Sequence, residues 1–365
     1  MAIRFHKSIK IAPGIRMNLG LKSAGISFGG KGLRYTINSR NGHYVSAGIP
    51  GTGLYYMESL SNRQYKSPAY QHHQQLAQKQ INTETMNAYE QAAFQVELYE
   101  NRIHMLKSIH KECDDLVEWD NVRKTPPPFQ LGNKGPKELA AEKALYEYKP
   151  NFLQKWFKRD EKKRAQLSAE LEKGKKEDQE DFQEWSRMVQ TAKKITEGDP
   201  DAYLQVIEEM APLDDLSEFG SGFEFFVEDP ETIEVEFEIH GEDVIPQEVL
   251  SLTKTGKLSQ RKMGKTIYYD LLQDYVSSCT IRIAQDVFAL LPVQKMFIHA
   301  YDESLNTVTG HIERVLILSV AIDKPTLDGL NLDAIDCSDA LTNFPHNMEF
   351  LKTKGFRRVE KVMLP

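Results

Sequence analysis

The sequence predicts a multidomain α+β protein, with a small N-terminal antiparallel β meander, a long helical hairpin and a C-terminal α+β domain. Three observations indicate this division. Apolar residues recur at every second position in residues 1–57, at every third or fourth position in residues 71–197, and in both patterns in residues 199–365. The length of 365 residues also suits two or three domains.

Residues 1–57 have the pattern of short β-strands joined by tight turns. Apolar side chains alternate with polar ones, as at Ile15, Met17 and Leu19, and turns such as Asn41-Gly42 separate the runs. One face of the meander is therefore expected to be apolar and the other polar and basic. Because a sheet this small cannot bury an apolar face alone, that face should pack on itself, on the rest of the chain or on another copy.

The same segment carries eight basic and no acidic residues, a formal charge of +8, which leaves −15 for the rest of the chain. Three interpretations stay open: a structural β cap kept soluble by its charges, self-association through strand edges or the apolar face, and binding of anions such as nucleic acid or lipid headgroups. The residues expected to bind an anionic partner are Lys10, Arg16, Lys31, Arg34 and Arg40.

A glycine-rich turn motif closes the module, and its residues are Gly48, Pro50, Gly51 and Gly53. Such glycines can cradle a phosphate, but the Lys-Ser/Thr pair of a P-loop is missing and Leu54 follows instead. We therefore interpret the motif as a turn.

Three segments of the module resemble the bacterial domain of unknown function family 4236. They are Lys7-Ser-Ile-Lys-Ile-Ala-Pro-Gly-Ile-Arg-Met-Asn-Leu, Gly25-Ile-Ser-Phe-Gly-Gly-Lys-Gly and Gly48-Ile-Pro-Gly-Thr-Gly-Leu-Tyr-Tyr. The segment Leu21-Lys-Ser-Ala departs from the family pattern, which has a simpler turn there. The resemblance covers about one sixth of the chain. It implies a bacterial or phage-borne protein with a β module, and it implies no reaction.

Residues 71–197 are predicted to be mainly helical. A first helix is expected from Gln71 to Lys124, and its apolar stripe consists of Met86, Tyr89, Ala93, Val96, Tyr99, Ile103, Leu106, Ile109, Cys113 and Leu116. Three prolines after Thr125 end it, and a second, charge-rich helical region extends to about Thr196. We favour an antiparallel hairpin that acts as a spacer, with a dimeric coiled coil as the alternative.

The C-terminal pattern predicts helices and strands in alternation. Helices are expected at 199–210 and 265–291, a β hairpin at 223–227 and 233–239, and further strands at 295–301 and 311–322. In the second hairpin strand the alternate positions are Glu234, Glu236 and Glu238, which we call the acidic row. The simplest interpretation of the acidic row is a solvated strand face, and a site for a metal or a basic partner is the alternative.

No catalytic or metal-binding motif stands out, so the sequence favours binding over catalysis and indicates no cofactor and no metal. If the C-terminal domain has an activity, the residues expected to carry it are Asp302, Glu313, Asp323 and Lys324, with Glu303 and His311 nearby. Acidic strands beside a helix, with a lysine, are typical of Mg²⁺-dependent nucleases. The spacing argues against such a site, because adjacent Asp323 and Lys324 would point to opposite faces of a strand.

The composition indicates the cellular compartment and the class of function to expect. Three widely spaced cysteines favour a reducing cytosol over a disulfide framework. No apolar run approaches the roughly 20 residues of a transmembrane helix, and the N-terminus lacks the apolar region of a signal peptide. We expect a non-enzymatic cytoplasmic interaction or assembly protein that self-associates or docks on another protein. A metal-dependent nuclease-like effector and nucleic-acid binding by the basic module are the alternatives.

Overall fold

The computed structural model of the protein is a mixed α+β structure. It describes residues 66–80, 87–149, 159–213, 216, 222–227, 229–306 and 308–363. Before residue 60 only the backbone of strands is described, at Ala2–Arg4, Lys7–Ala12, Ile15–Leu19, Ala24–Gly30, Leu33–Asn38, Gly42–Gly48 and Tyr55–Ser59. The side chains and turns of this region lie outside the described residues, so the β meander with its two chemically different faces stays a prediction.

From residue 66 onwards the helices and strands have the following bounds. The helices are α1 Pro68–Gln80, α2 Ala88–Ser108, α3 Trp119–Arg123, α4 Pro136–Glu147, α5 Arg159–Thr196, α6 Pro200–Met210, α7 Gly241–Val244, α8 Lys265–Leu290, α9 Lys324–Asp328 and α10 Cys337–Ala340. The strands are β1 Phe223–Val227, β2 Thr232–Ile239, β3 Glu248–Leu252, β4 Leu258–Lys262, β5 Lys295–Leu305, β6 Ile312–Asp323, β7 His346–Met348, β8 Phe350–Leu351 and β9 Gly355–Phe356. The elements that the sequence pattern does not predict include the β3–β4 hairpin, helix α7 and strand β7.

The chain divides into two compact units, Met1–Val117 with Tyr203–Pro365, and Glu118–Ala202. The helical segment predicted over residues 71–197 is therefore shared between the units. Its first part, with α1 and α2, belongs to the same unit as the C-terminal sheet.

A mixed sheet forms the centre of the first unit. Among residues 222–363 its strand order is β1-β2-β5-β6-β7. Strand β2 is parallel to β5, and the other neighbours are antiparallel. Alternation along β2 buries Ile233, Val235, Phe237 and Ile239, as the period-two pattern predicts.

Helix α8 is the central helix of this unit. Its predicted apolar face is buried at Leu271, Tyr275, Cys279, Ile283, Val287 and Leu291, whereas Ile267 in its first turn is exposed. The opposite face is also buried, because the short 3₁₀ turn Ile109–Lys111 after α2 packs against it. A helix buried on all sides needs partners for its polar side chains.

The prediction of one continuous helix from Gln71 to Lys124 is wrong. The segment is divided into α1, α2, the 3₁₀ turn and α3, and helix α2 begins at a capping box. The Asn87 side chain accepts from the backbone N–H of Glu90, and the Glu90 carboxylate accepts from the N–H of Asn87. Of the predicted stripe, Tyr99, Leu106 and Ile109 are buried but Tyr89 and Leu116 are exposed.

The second unit is an antiparallel helical pair. Near its start, α4 contacts the middle of α5, where the Lys137 ammonium pairs with Asp181 at 2.8 Å. The buried Asp178 carboxylate of α5 accepts the backbone N–H of Glu138 at 2.7 Å. Only glycine fits at position 135, since a Cβ there would lie 2.2 Å from the Asp178 carboxyl carbon. The connection between α4 and α5 includes residues 150–158, which lie outside the described residues.

Candidate functional site

Two polar sites lie on opposite faces of the β5–β6 hairpin. Successive side chains of a strand point to opposite faces, so Tyr301 and Asp302 lie on different sides of the sheet. A register shift after Ala300 adjusts this alternation along β6. The first site is a charge network around the acidic row, and the second is a cleft around Asp302.

The charge network pairs the acidic row with basic side chains of the same chain. The Lys361 ammonium lies 2.5 Å from Glu234 and 2.8 Å from Glu236. The Arg314 guanidinium lies 3.0 Å from Glu236 and 2.6 Å from Glu238. The acidic row is therefore not the solvated strand face of the simplest interpretation, because its basic partners come from β6 and the C-terminal segment.

Tyr301 and the hydrogen-bonding partners of the acidic row determine the pKa values of its glutamates. The Arg314 guanidinium stacks 3.5 Å above the Tyr301 ring, and the Tyr301 hydroxyl donates to Glu236. Hydrogen bonding to His299 and to Lys361 holds the pKa of Glu234 at about 2. Burial alone would raise the pKa of Glu236, but hydrogen bonds from Lys361 and Arg314 lower it.

Ser319 and His299 form a series of polar contacts that ends at Glu234 of the acidic row. The Ser319 hydroxyl lies 2.9 Å from Nδ1 of His299, and His299 Nε2 lies 3.3 Å from Glu234. This order of side chains is similar to that of a nucleophile triad. However, Ser319 has no exposed surface and its hydroxyl accepts the backbone N–H of Val362 at 2.8 Å. The three residues therefore anchor the C-terminal segment on the sheet.

The cleft lies on the other face of the hairpin and has a volume of about 520 Å³. Asp302 and Glu313 line it, together with Ser304, and its walls include Tyr269 of α8 and Phe356 of β9. Burial raises the pKa of Asp302 to about 6. A carboxyl group with a raised pKa in a cleft is a candidate for a functional role.

The four residues predicted to carry an activity do not come together. Asp302 and Glu313 share the cleft, but Asp323 and Lys324 lie at the other end of the hairpin. There Asp323 is opposite Lys295 in the strand register. Asp323 caps helix α9 by accepting the N–H of Thr326. Asp302 lies seven residues from the Lys295 end of β5, and Glu313 lies ten residues from Asp323 on β6, so the two pairs are about 23–33 Å apart along the strands at roughly 3.3 Å per residue. They do not form one Mg²⁺ site.

The other predicted site residues have different outcomes. Lys10, Arg16, Lys31, Arg34 and Arg40, and the turn residues Gly48, Pro50, Gly51 and Gly53, lie outside the described residues. Glu303 and His311 are exposed at the hairpin end. Among the described residues, no group of three or more His, Cys, Asp or Glu side chains is placed to hold a metal ion.

The sequence interpretation missed Tyr301, Arg314 and Lys361 of the charge network, and it assigned no partner to His299 and Ser319, which lie beside it. Their separation in the chain explains this, since Lys361 and Glu234 are 127 positions apart. The alternation of β5 and β6 does place His299 and Ser319 on the buried side of a strand. No local pattern indicates which glutamate they meet.

The fold and the two sites define an α+β protein whose C-terminal segment is anchored by an internal charge network. The chain contains a DUF4236 domain, because residues 3–57 match the family model described as a protein of unknown function. The resemblance noted from the sequence is thereby confirmed, and the rest of the chain is unassigned. No curated protein and no solved structure matches the chain. In the part of the chain that the structure describes, no helix is long and apolar enough to cross a membrane.

Proposed function

We propose that this protein is a non-enzymatic assembly protein, in which the N-terminal module of one copy docks on the C-terminal domain of another. The observation that carries the proposal is the distribution of charge. Residues 1–57 have a formal charge of +8. Residues 58–198 hold 24 basic and 23 acidic residues, whereas residues 199–365 hold 14 basic and 30 acidic residues, a formal charge of −16. The acidity is thus concentrated at the opposite end of the chain from the basic module.

Opposite charges on two ends of one chain favour association between copies. The electrostatic attraction extends over about 10 Å at 0.1 M ionic strength and further at lower salt, and it accelerates encounter. The expected apolar face of the module, which a small sheet cannot bury alone, adds short-range stabilisation. The resemblance to a bacterial family and the absence of a disulfide pattern support a bacterial or phage-borne protein that acts in the cytoplasm.

The acidic row itself is not the docking surface in this proposal, because Lys361 and Arg314 already pair with its three carboxylates. Other acids of the C-terminal domain are available. Asp229 and Glu231, in the turn between β1 and β2, are exposed and have no basic side chain within ion-pair distance among the described residues. Such acids are suited to pair with the lysines and arginines of a neighbouring module.

Replacing Lys10, Arg16, Lys31, Arg34 and Arg40 together by glutamine is expected to weaken self-association at 50 mM NaCl by at least tenfold. Exposed ion pairs contribute about 0.2–1 kcal/mol each, so five of them amount to a change of about one to several powers of ten. Sedimentation velocity of the full chain measures the association at 50 and 500 mM NaCl. The wild type should associate at the lower salt and dissociate at the higher.

The matched control replaces five exposed lysines of α5 by glutamine: Lys162, Lys163, Lys173, Lys175 and Lys176. It changes the net charge by the same amount and should associate like the wild type. A wild-type chain that stays monomeric at 50 mM NaCl contradicts the proposal, as does equal weakening by both variants.

Nucleic-acid binding by the same basic residues is a second candidate, because a segment with eight basic and no acidic residues is suited to phosphates. The same pair of variants tests it. A fluorescent single-stranded oligonucleotide that binds the wild type, and binds the module variant much more weakly than the α5 variant, would support this candidate.

A further inference from the structure

The cleft on the β5–β6 hairpin has the dimensions and lining of a small-molecule site. Its volume of about 520 Å³ is within the range of roughly 300–1,000 Å³ that is usual for ligand pockets. Apolar side chains contribute much of the lining, namely Leu272, Val315, Ile317 and Phe356. The polar part of the lining consists of Asp302, Ser304, Asn306, Glu313, Lys354 and Arg358.

A glycine shapes one wall of this cleft. Gly355 has a φ of +76°, which other residues rarely adopt. A Cβ at this position would lie 2.7 Å from the Tyr269 ring, so only glycine allows the β8–β9 turn to lie against α8. Phe350 and Phe356 pack edge to face beside it, with ring centroids 5.1 Å apart. The wall is therefore built from close packing.

The two carboxylates of the cleft differ in their partners. Glu313 accepts hydrogen bonds from Asn306 at 2.7 Å and from Arg358 at 3.1 Å, so its charge is compensated. Asp302 accepts the backbone N–H of Glu303 at 3.0 Å. Among the described residues, no basic side chain lies within ion-pair distance of Asp302. The cleft thus offers one carboxylate whose charge is not balanced by a neighbour.

Several titratable groups surround Asp302. Those that interact with it or line the cleft are His240, Glu242, Tyr268, Glu303, Glu313, Lys354 and Arg358. Burial is the main reason that the pKa of Asp302 rises to about 6. The backbone hydrogen bond from Glu303 and the nearby His240 lower this pKa, and the carboxylates of Glu242 and Glu303 raise it. A carboxylate in this position destabilises the unliganded fold at neutral pH, and a bound cation would remove that penalty.

We infer that this cleft binds a small organic ammonium compound, whose charged nitrogen pairs with Asp302 and whose apolar body lies against Val315, Ile317 and Phe356. The ammonium supplies the donors that Asp302 lacks, and the apolar wall accommodates a ring or a branched chain. Compounds with a hydroxyl in place of the ammonium have the same shape without the charge. This inference is independent of self-association.

The test compares 2-phenylethylamine with 2-phenylethanol as probes of the full-length protein, by saturation-transfer NMR titration. We expect the amine to bind at least tenfold more tightly than the alcohol at pH 7.5, since a charged hydrogen bond contributes about 1.5–3 kcal/mol. In Asp302→Asn this preference should be lost. Because the amine stays protonated while Asp302 ionises, its affinity for the wild type should rise about tenfold from pH 5 to pH 8.

Glu303→Gln is the matched control, since it removes the neighbouring exposed charge and should keep the preference for the amine. Asp302→Asn is not expected to impair folding, because it replaces a carboxylate that is costly to ionise. Equal binding of the two probes to the wild type overturns the inference, and so does an unchanged preference in Asp302→Asn.

Discussion

Asp286→Ala is expected to destabilise the first unit by about 3–5 kcal/mol, because it removes the carboxylate that pairs with the buried Arg282 guanidinium. Both side chains have no exposed surface. Asp286 also accepts the backbone N–H of Asp114 at 2.8 Å, and Arg282 donates to the carbonyl of Ile109 at 3.4 Å. This pair therefore joins α8 to the segment that follows α2. Chemical unfolding followed by circular dichroism measures the change in the free energy of unfolding.

The control for this prediction is Asp328→Ala, which breaks another i,i+4 ion pair, with Lys324, at a site where Asp328 is 62% exposed. It should change the free energy of unfolding by less than about 0.5 kcal/mol. The double variant Arg282→Met/Asp286→Leu should recover most of the lost stability, since it removes both charges and keeps apolar volume. Equal effects of Asp286→Ala and Asp328→Ala would show that the buried pair does not stabilise the fold.

Lys361→Met is expected to destabilise the protein by roughly 2 kcal/mol at pH 7, after allowance for partial solvent screening. It keeps the apolar stem but leaves Glu234 and Glu236 without their shared ammonium partner. The folded pKa of Glu234 is about 2, well below its ordinary value of 4.5. A depressed carboxylate pKa stabilises the fold above the unfolded value, and the stabilisation is lost as the pH falls towards the folded value.

The difference between the wild type and Lys361→Met should therefore be largest above about pH 5 and become small near pH 2. Thermal or urea unfolding across this range measures it. Lys352→Met is the matched control, because Lys352 is 72% exposed and lies 3.7 Å from Asp270. It should behave like the wild type at every pH. A difference that stays constant down to pH 2 would contradict the electrostatic explanation.

Sequence patterns predict the elements of the C-terminal sheet well, for reasons of periodicity. The buried positions of β2 and the apolar face of α8 follow from spacing alone. The Arg282–Asp286 pair has the spacing of an ordinary exposed ion pair, and its burial depends on the distant turn at Ile109–Lys111. For the same reason the boundary between the two units at Val117 could not be predicted from periodicity, because an amphipathic stripe does not indicate which surface it contacts.

The candidate sites also depend on contacts between distant parts of the chain, which periodicity does not predict. Asp302 and Glu313 were predicted together, and the register of the β5–β6 hairpin does bring them to one cleft. Asp323 belongs to the other end because the hairpin strands are 11 and 12 residues long. Lys361 was missed because its partners are determined by the path of the C-terminal segment, which has no periodic pattern.

In the proposed assembly, the basic module of one copy contacts the acidic C-terminal domain of another. Zero-length carbodiimide cross-linking joins lysines to carboxylates that touch, and mixing ¹⁴N- and ¹⁵N-labelled protein distinguishes contacts between copies from contacts within one. At 50 mM NaCl we predict mixed-isotope peptides that join lysines such as Lys10 and Lys31 to acids of residues 199–365, and their loss at 500 mM NaCl. If every cross-link from the module joins two peptides with the same isotope, the contacts lie within one copy. That result would contradict contact between copies.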